Sequence, residues 1–249
     1  MRGTIDVSRY DSYNNSGNLV PIDWRATGFP LAIIKSSEAT FSDLAFKMQW
    51  QAAKGLPRMA YHFFRSDVNA IAQAQFMTSL LKPDFTENDF IAIDFETRDG
   101  MTNSQCLAGC FSFLYEMEKV GTRPFLYTYP SFWNELGGAY QPAAKKYPLW
   151  LGQWPWDNWF KDIKLPPFTW TAAKMAEKKW AIESGTIKPM TLAPWVSPAI
   201  WQWTARADPK QIPGYYANKS AVDYNVIFDV DLPNPTHPSV CPTCGQTWA

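Results

Sequence analysis

The stretch Phe90-Ile91-Ala92-Ile93-Asp94-Phe95-Glu96 decides the fold. Its opening run is apolar with two isoleucines, the composition of a strand buried on both faces. It ends on two acids one residue apart. Strand side chains alternate, so Asp94 and Glu96 project from one face with Cα atoms roughly 6–7 Å apart, and Phe95 projects from the other. Two carboxylates at that range resist ionising together, and each raises the pKa of its neighbour. Such a pair suits an acid that keeps its proton near neutrality beside a carboxylate that stays charged. The plain alternative is a strand end with two solvated acids, since perturbed acids also occur in structural networks.

On either side of this strand the chain alternates strand and helix. Gly3 to Ser8, Leu31 to Lys35 and Arg58 to Phe64 read as the three strands before it. Ser42 is placed to cap a helix over 43–54 with Leu44, Ala45, Met48 and Ala52 as its stripe and Gly55 as its stop. Asp67 is placed to cap a second helix striped by Ala70, Ala74, Met77 and Leu81, ending near Pro83. A third runs from Asn103 to Val120 with Cys106, Cys110, Leu114 and Met117 on one face. Pro124 to Tyr129, Tyr147 to Trp154, Ile200 to Thr204 and Ala221 to Phe228 supply the remaining strands, and Pro130 suits the first position of a short helix. Repeated strand–helix units in a chain of 249 residues predict an α/β fold, an irregular (β/α) TIM-type barrel. The final third lacks clear helices between its strands, so the irregularity is expected there.

The division expected is a barrel over 1–231, with a Trp-rich inserted segment at 155–198 before the last two strands, and a Pro-rich tail over 232–249. The segment carries Trp156, Trp159, Trp170, Trp180 and Trp195, and its part from Thr171 to Ser184 reads as a helix closed by Gly185. It is either a wall of a ligand groove or a lid packed for stability. In the tail, Cys241 and Cys244 with His237 resemble half a zinc knuckle. A structural zinc takes four ligands, so the set is short by at least one and no metal is expected. Cys106 and Cys110 read as reduced core residues.

Lys plus Arg equals Asp plus Glu at 23 each, which removes the basic excess expected of a nucleic-acid binder. No run approaches the roughly 20 apolar residues of a membrane span. The start, MRGTIDVSRY, lacks an apolar leader core, so no signal peptide is read. Thirteen Trp, 11 Tyr and 16 Phe supply many flat faces, which stack on sugars and also fill cores. A monomer is expected.

In a barrel the reactive groups come from the C-terminal ends of several strands, which meet at one mouth. Acids recur at such places: Asp6 in the first strand, Asp94 and Glu96 in the fourth, Asp223 in the last. An acid inside an apolar strand is costly unless paired or used. Tyr61, Tyr127, Gln153, Trp154, Gln202 and Trp203 sit at comparable positions and are the candidates for binding a substrate. His62 reads as a core histidine.

The motifs GTIDVSRYD, AIIKSSE, YHFFR, IDFE, YTYPSFW, LWLGQW, WQWT and VDYN resemble, in order, the strand motifs of glycoside hydrolase family 25, the N-acetylmuramidase lysozymes that include many phage endolysins. The resemblance spans about Gly3 to Phe228. It implies a β/α barrel that hydrolyses the β-1,4 bond between N-acetylmuramic acid and N-acetylglucosamine in bacterial peptidoglycan, without a cofactor. It matches Glu96 to the general acid, Asp94 to the acid beside it, and Asp6 and Asp223 to the acids of the first and last strands. On this reading Asp94 stays ionised, either against positive charge on the sugar or orienting the substrate's N-acetyl group; covalent, inverting and substrate-assisted routes all stay open. A glycan-binding barrel without activity and a hydrolase of another amino-sugar polymer such as chitin are the competing readings. Action on the wall after release from the cytoplasm, as for a phage lysin, or from a virion, fits the missing leader.

Overall fold

The computed structural model describes residues 1–121, 123–155, 170–219 and 221–228. The tail with Cys241, Cys244 and His237, and Trp156 and Trp159, lie outside the described residues. Nine strands form one sheet: β1 (Arg2–Val7), β2 (Ala32–Glu38), β3 (Phe41–Ser42), β4 (Arg58–Phe63), β5 (Asp89–Asp94), β6 (Phe125–Thr128), β7 (Leu149–Gly152), β8 (Ile200–Ala207) and β9 (Val222–Ile227). Their order is β1-β9-β8-β7-β6-β5-β4-β2-β3, and β1 also pairs with β2. That last pairing closes an eight-stranded barrel, with β3 as a two-residue antiparallel appendage on β2.

Seven barrel strands run parallel; β9 runs antiparallel to both neighbours, β1 and β8. A parallel return needs a crossover of a dozen or more residues, usually a helix. Among its described residues the connection from Ala207 to Val222 holds only a short 3-10 turn at Pro209–Gln211, so the chain turns back at the end it has reached. The reversal carries Asp223, near the start of β9, to the end of the barrel where the parallel strands finish.

Two layers of core follow from strand alternation. Inside the barrel pack Leu31, Ile33, Met59, Phe90, Ala92, Phe125, Ile200 and Ile227, with Tyr61, Tyr127 and Trp150 above them. Outside, Ile34, Ala60, Ile91, Ile93, Phe95 and Leu126 meet the helices. The helix Ala70–Leu81 buries Ala74, Met77 and Leu81. The helix Asn103–Glu118 buries Cys106, Cys110, Leu114 and Met117, as its stripe predicts, and starts with a Thr102–Gln105 capping box. Cys106 and Cys110 are free and buried. The base of the barrel is clamped by Arg58, which donates to Asp89 from Nε (2.8 Å) and Nη2 (2.6 Å) and lies 4.0 Å from the Trp50 ring centre.

Two local expectations are corrected. Ser42 pairs in β3, and the following helix is only Phe46–Ala52, so Phe46, Gln49 and Trp50 face the core and Leu44 is exposed. The cap of the Ala70–Leu81 helix is Asn69, whose Oδ1 accepts from Ala72 N at 2.9 Å; Asp67 sits two residues too early. In the Trp-rich stretch the helix Ala172–Glu183 forms as read, capped by Thr171, but buries only Ile182. Trp195 is core: its Nε1 donates to Tyr147 O and its ring lies 5.0 Å from Trp133. Trp180 is exposed.

Candidate active site

The four acids meet at the mouth. Asp6 and Asp223 are direct cross-strand partners on β1 and β9, so both project from one face. Asp94 ends β5 in register with Tyr127 of β6, and Glu96 follows on the same side. Each acid is pushed above the ordinary carboxylate range, chiefly by burial, with a neighbouring acid adding to it. Glu96 rises to about 7, with Asp6 adding to burial and the Lys35 and Arg65 charges opposing it. Asp94 rises well above its usual value through burial, the Glu96 charge, and then Asp6 and Asp223. Asp223 rises likewise through burial, Asp6 and Asp11. Asp6 rises to about 6 through burial, against two amide donors.

Asp94 and Glu96 therefore titrate as a pair that holds a proton near neutrality. The deeper member is Asp94, and its Oδ1 is buried with no hydrogen-bond partner. An ionised Asp94 beside a protonated Glu96, the arrangement expected from the sequence, requires a donor on that oxygen. In the free protein burial favours a proton on Asp94 as well.

The tyrosines and amides are arranged around Asp6. Tyr127 Oη donates to Gln202 Oε1 at 2.9 Å, and Gln202 Nε2 donates to Asp6 Oδ2 at 2.9 Å. Asn225 Nδ2 donates to the same Oδ2 at 2.7 Å, and Trp150 Nε1 donates to Asn225 Oδ1 at 2.8 Å. Tyr61 lies edge-on to Trp150 at 5.7 Å, buried among the acids, whose charges add to burial in raising its hydroxyl. Gly152 leaves room for Tyr127: a Cβ there would stand 2.6 Å from Oη. On the opposite wall Lys35 Nζ donates to Glu38 Oε2 at 2.9 Å, and Arg65 joins Glu38 to Asp99.

The remaining predicted residues divide. Gln202 spends both ends of its amide on Tyr127 and Asp6, so it orients the acid. Gln153 is at the mouth, but its Oε1 accepts from Met190 N at 2.8 Å and so anchors the Trp-rich stretch. Trp154 is partly buried, with no acceptor for its indole N–H. Trp203 is corrected: it is fully buried in the outer layer, with ring centres of Trp170 and Tyr224 each 5.8 Å away. It follows the inward-facing Gln202, so alternation turns it away from the mouth. His62 is a core residue, bonded to Ser37 and Gln73, stacked on Phe113 and held by burial at a pKa of about 4. Lys35, Trp150 and Asn225 are site residues absent from the sequence-derived set. Asn225 carried a signal, since it stands two residues beyond Asp223 on the same strand face.

Fold and site together define a class: a closed β/α barrel whose mouth gathers carboxylates from its first, middle and last strands, with protons held near neutrality. The family model "Glycosyl hydrolases family 25" matches residues 5–212, and the chain belongs to that family. Among solved structures, the lysozyme of Streptomyces coelicolor is 20% identical with a TM-score of 0.65, covering 94% of this chain and 95% of its own. A family 25 glycosyl hydrolase of Bacillus anthracis is 18% identical with a TM-score of 0.65, covering 99% and 94%. The modular Cpl-1 endolysin, complexed with a peptidoglycan analogue, is 18% identical with a TM-score of 0.57, covering 91% and 54%. Protein YegX of Escherichia coli K12, which is uncharacterized, is 28% identical over 156 residues, 60% of this chain. The match spans about half of that relative, 55% of its length.

Proposed function

We propose that the protein is a muramidase that hydrolyses the β-1,4 bond between N-acetylmuramic acid and N-acetylglucosamine in bacterial peptidoglycan. The observation that carries this reading is the meeting of Asp6, Asp94, Glu96 and Asp223 at one mouth, in a chain of this family. Glu96, raised to about 7, is a proton donor suited to the leaving oxygen at neutral pH. Asp94 Oδ1 lacks a donor, and a substrate acetamido N–H would supply one; that bond would ionise Asp94 and leave the proton on Glu96. This favours a route in which Asp94 orients the N-acetyl group. Asp6, held by two amide donors, places negative charge beside the developing oxocarbenium, with Asp223 next to it on the same face.

The residues expected to meet the sugar are Tyr61, Tyr127 and Trp154, from three different strand ends. The catalytic unit we assign is residues 1–231. An endolysin and lysozymes among the similar structures support a lysin acting on the cell wall, and a phage or virion setting is the proposed context. Among the described residues no helix is long and apolar enough to cross a membrane.

The test is reducing-end mass spectrometry of digested peptidoglycan and chitin. Muramic acid at the new reducing end is expected. N-acetylglucosamine there would make the protein a glucosaminidase, cleavage of chitin would shift the substrate class, and no product would leave a glycan-binding barrel.

A further inference from the structure

Four hydrogen bonds around Asp6 have a direction that can be worked out from donor chemistry alone. The Trp150 indole N–H is a donor and nothing else. Trp150 and Asn225 are both buried. Asn225 must therefore turn Oδ1 to Trp150, which leaves Nδ2 to face Asp6. Flipping the amide would oppose N–H to N–H at one end and oxygen to oxygen at the other, losing both bonds of a buried group. Asp6 Oδ2 thus accepts from Asn225, and it accepts from Gln202 Nε2 as well. An oxygen that takes two N–H donors has no place for a proton. Gln202 Oε1 is then left to accept from Tyr127 Oη. The chain runs one way from each end, Trp150 to Asn225 to Asp6, and Tyr127 to Gln202 to Asp6.

We infer that Trp150 and Asn225 are positioning residues of the hydrolase: through this one-way chain they hold Asp6 as a carboxylate whose Oδ2 is fixed to the wall and whose Oδ1 is left for the substrate. The inference rests on the proposed muramidase reading, because it assigns the chain to that reaction. Without the chain Asp6 stands among acids on every side: Asp223 on β9, Asp94 and Glu96 from β5, Asp11 beyond β1, with Tyr61, Tyr127 and the Lys35 cation from β4, β6 and β2. Surrounded so, a buried carboxyl takes a proton readily. The two amide donors oppose that, and the indole is what keeps one of them pointing the right way. At the other end Tyr127 commits its hydroxyl hydrogen to Gln202, so it offers lone pairs to the cleft and suits an N–H of the substrate.

The test uses Asn225→Asp and Trp150→Phe in the full chain, with kcat, KM, the pH–rate profile and the 13C carboxyl titration of Asp6. Asn225→Asp keeps the acceptor for Trp150 but replaces a donor to Asp6 with a second acid. It is expected to lower kcat by ~10-fold or more with little change in KM. Its acid limb should move up by about one pH unit, with Asp6 titrating correspondingly higher. Trp150→Phe frees Asn225 to flip and should shift the limb and the Asp6 titration in the same direction by less. An unmoved Asp6 titration in both variants, or a rise in KM alone, overturns the inference. If Asn225→Asp does not fold, Trp150→Phe decides by the same readouts. The carboxyl titration needs no turnover, so a wild-type protein inactive on peptidoglycan would refute the muramidase reading while the titration still judged the chain.

Discussion

Replacing Glu96 with Gln separates chemistry from folding. Gln matches the shape of Glu and removes its titration. In the folded protein Glu96 has a pKa of about 7, against 4.5 ordinarily. Between those values the folded state keeps a proton that the unfolded chain releases. Acid therefore favours the fold in this window, and the cost of the buried carboxylate is fully present above pH 7 and gone below pH 4.5. At about 1.4 kcal/mol per pKa unit, the cost amounts to about 3 kcal/mol. Glu96→Gln removes it, and also relieves Asp94, which the Glu96 charge helps push up. The variant's thermal midpoint should match wild type near pH 4.5 and exceed it by about 6–12 °C at pH 8, for a chain of this size. Its rate of wall clearing should fall at least ~100-fold. Calorimetry at the two pH values and turbidity clearing test both halves. A stability difference that does not change with pH, or near-normal clearing, refutes the reasoning.

Gly152→Ala sets a methyl 2.6 Å from Tyr127 Oη and should displace that hydroxyl from Gln202. Crowding of this kind costs about 1–3 kcal/mol, so the variant should fold with a lower midpoint and reduced kcat, measured by calorimetry and clearing. Asp89→Ala removes the closer of the two carboxylates on buried Arg58 at the far end of the barrel, leaving Asp84 Oδ2 at 3.2 Å, and should cost about 3 kcal/mol in denaturant melts, the low end for breaking a buried pair. The folded fraction of that variant should keep its kcat, since the clamp lies at the opposite end from the acids.

Much of this site was legible because strand alternation is rigid. Asp94 and Glu96 had to share a face, and the strand ends of a barrel had to converge. The same rule separates Gln202 from Trp203, and reading both as cleft residues set it aside. The direction of β9 was less legible, because a period of two reports which face a residue takes and nothing about which way the strand runs. The signal was the stretch from Ala207 to Val222, which holds no helical periodicity. Trp150 was hidden for another reason. Its importance lies in one hydrogen bond, at 2.8 Å to Asn225, 75 residues away, that no local pattern announces. Lys35 looked like the polar end of a strand, and its role depends on Glu38 and Arg65 arriving from the rim.

The most direct measurement is a crystal structure of the Glu96→Gln variant soaked with a peptidoglycan tetrasaccharide. The scissile oxygen should lie within hydrogen-bond reach of the substituted amide, with the adjoining acetamido N–H on Asp94 Oδ1 and the ring over the Asp6–Asp223 pair. A saccharide bound elsewhere, or one at the mouth that leaves Asp94 Oδ1 without a donor and the substituted amide beyond reach, contradicts the account.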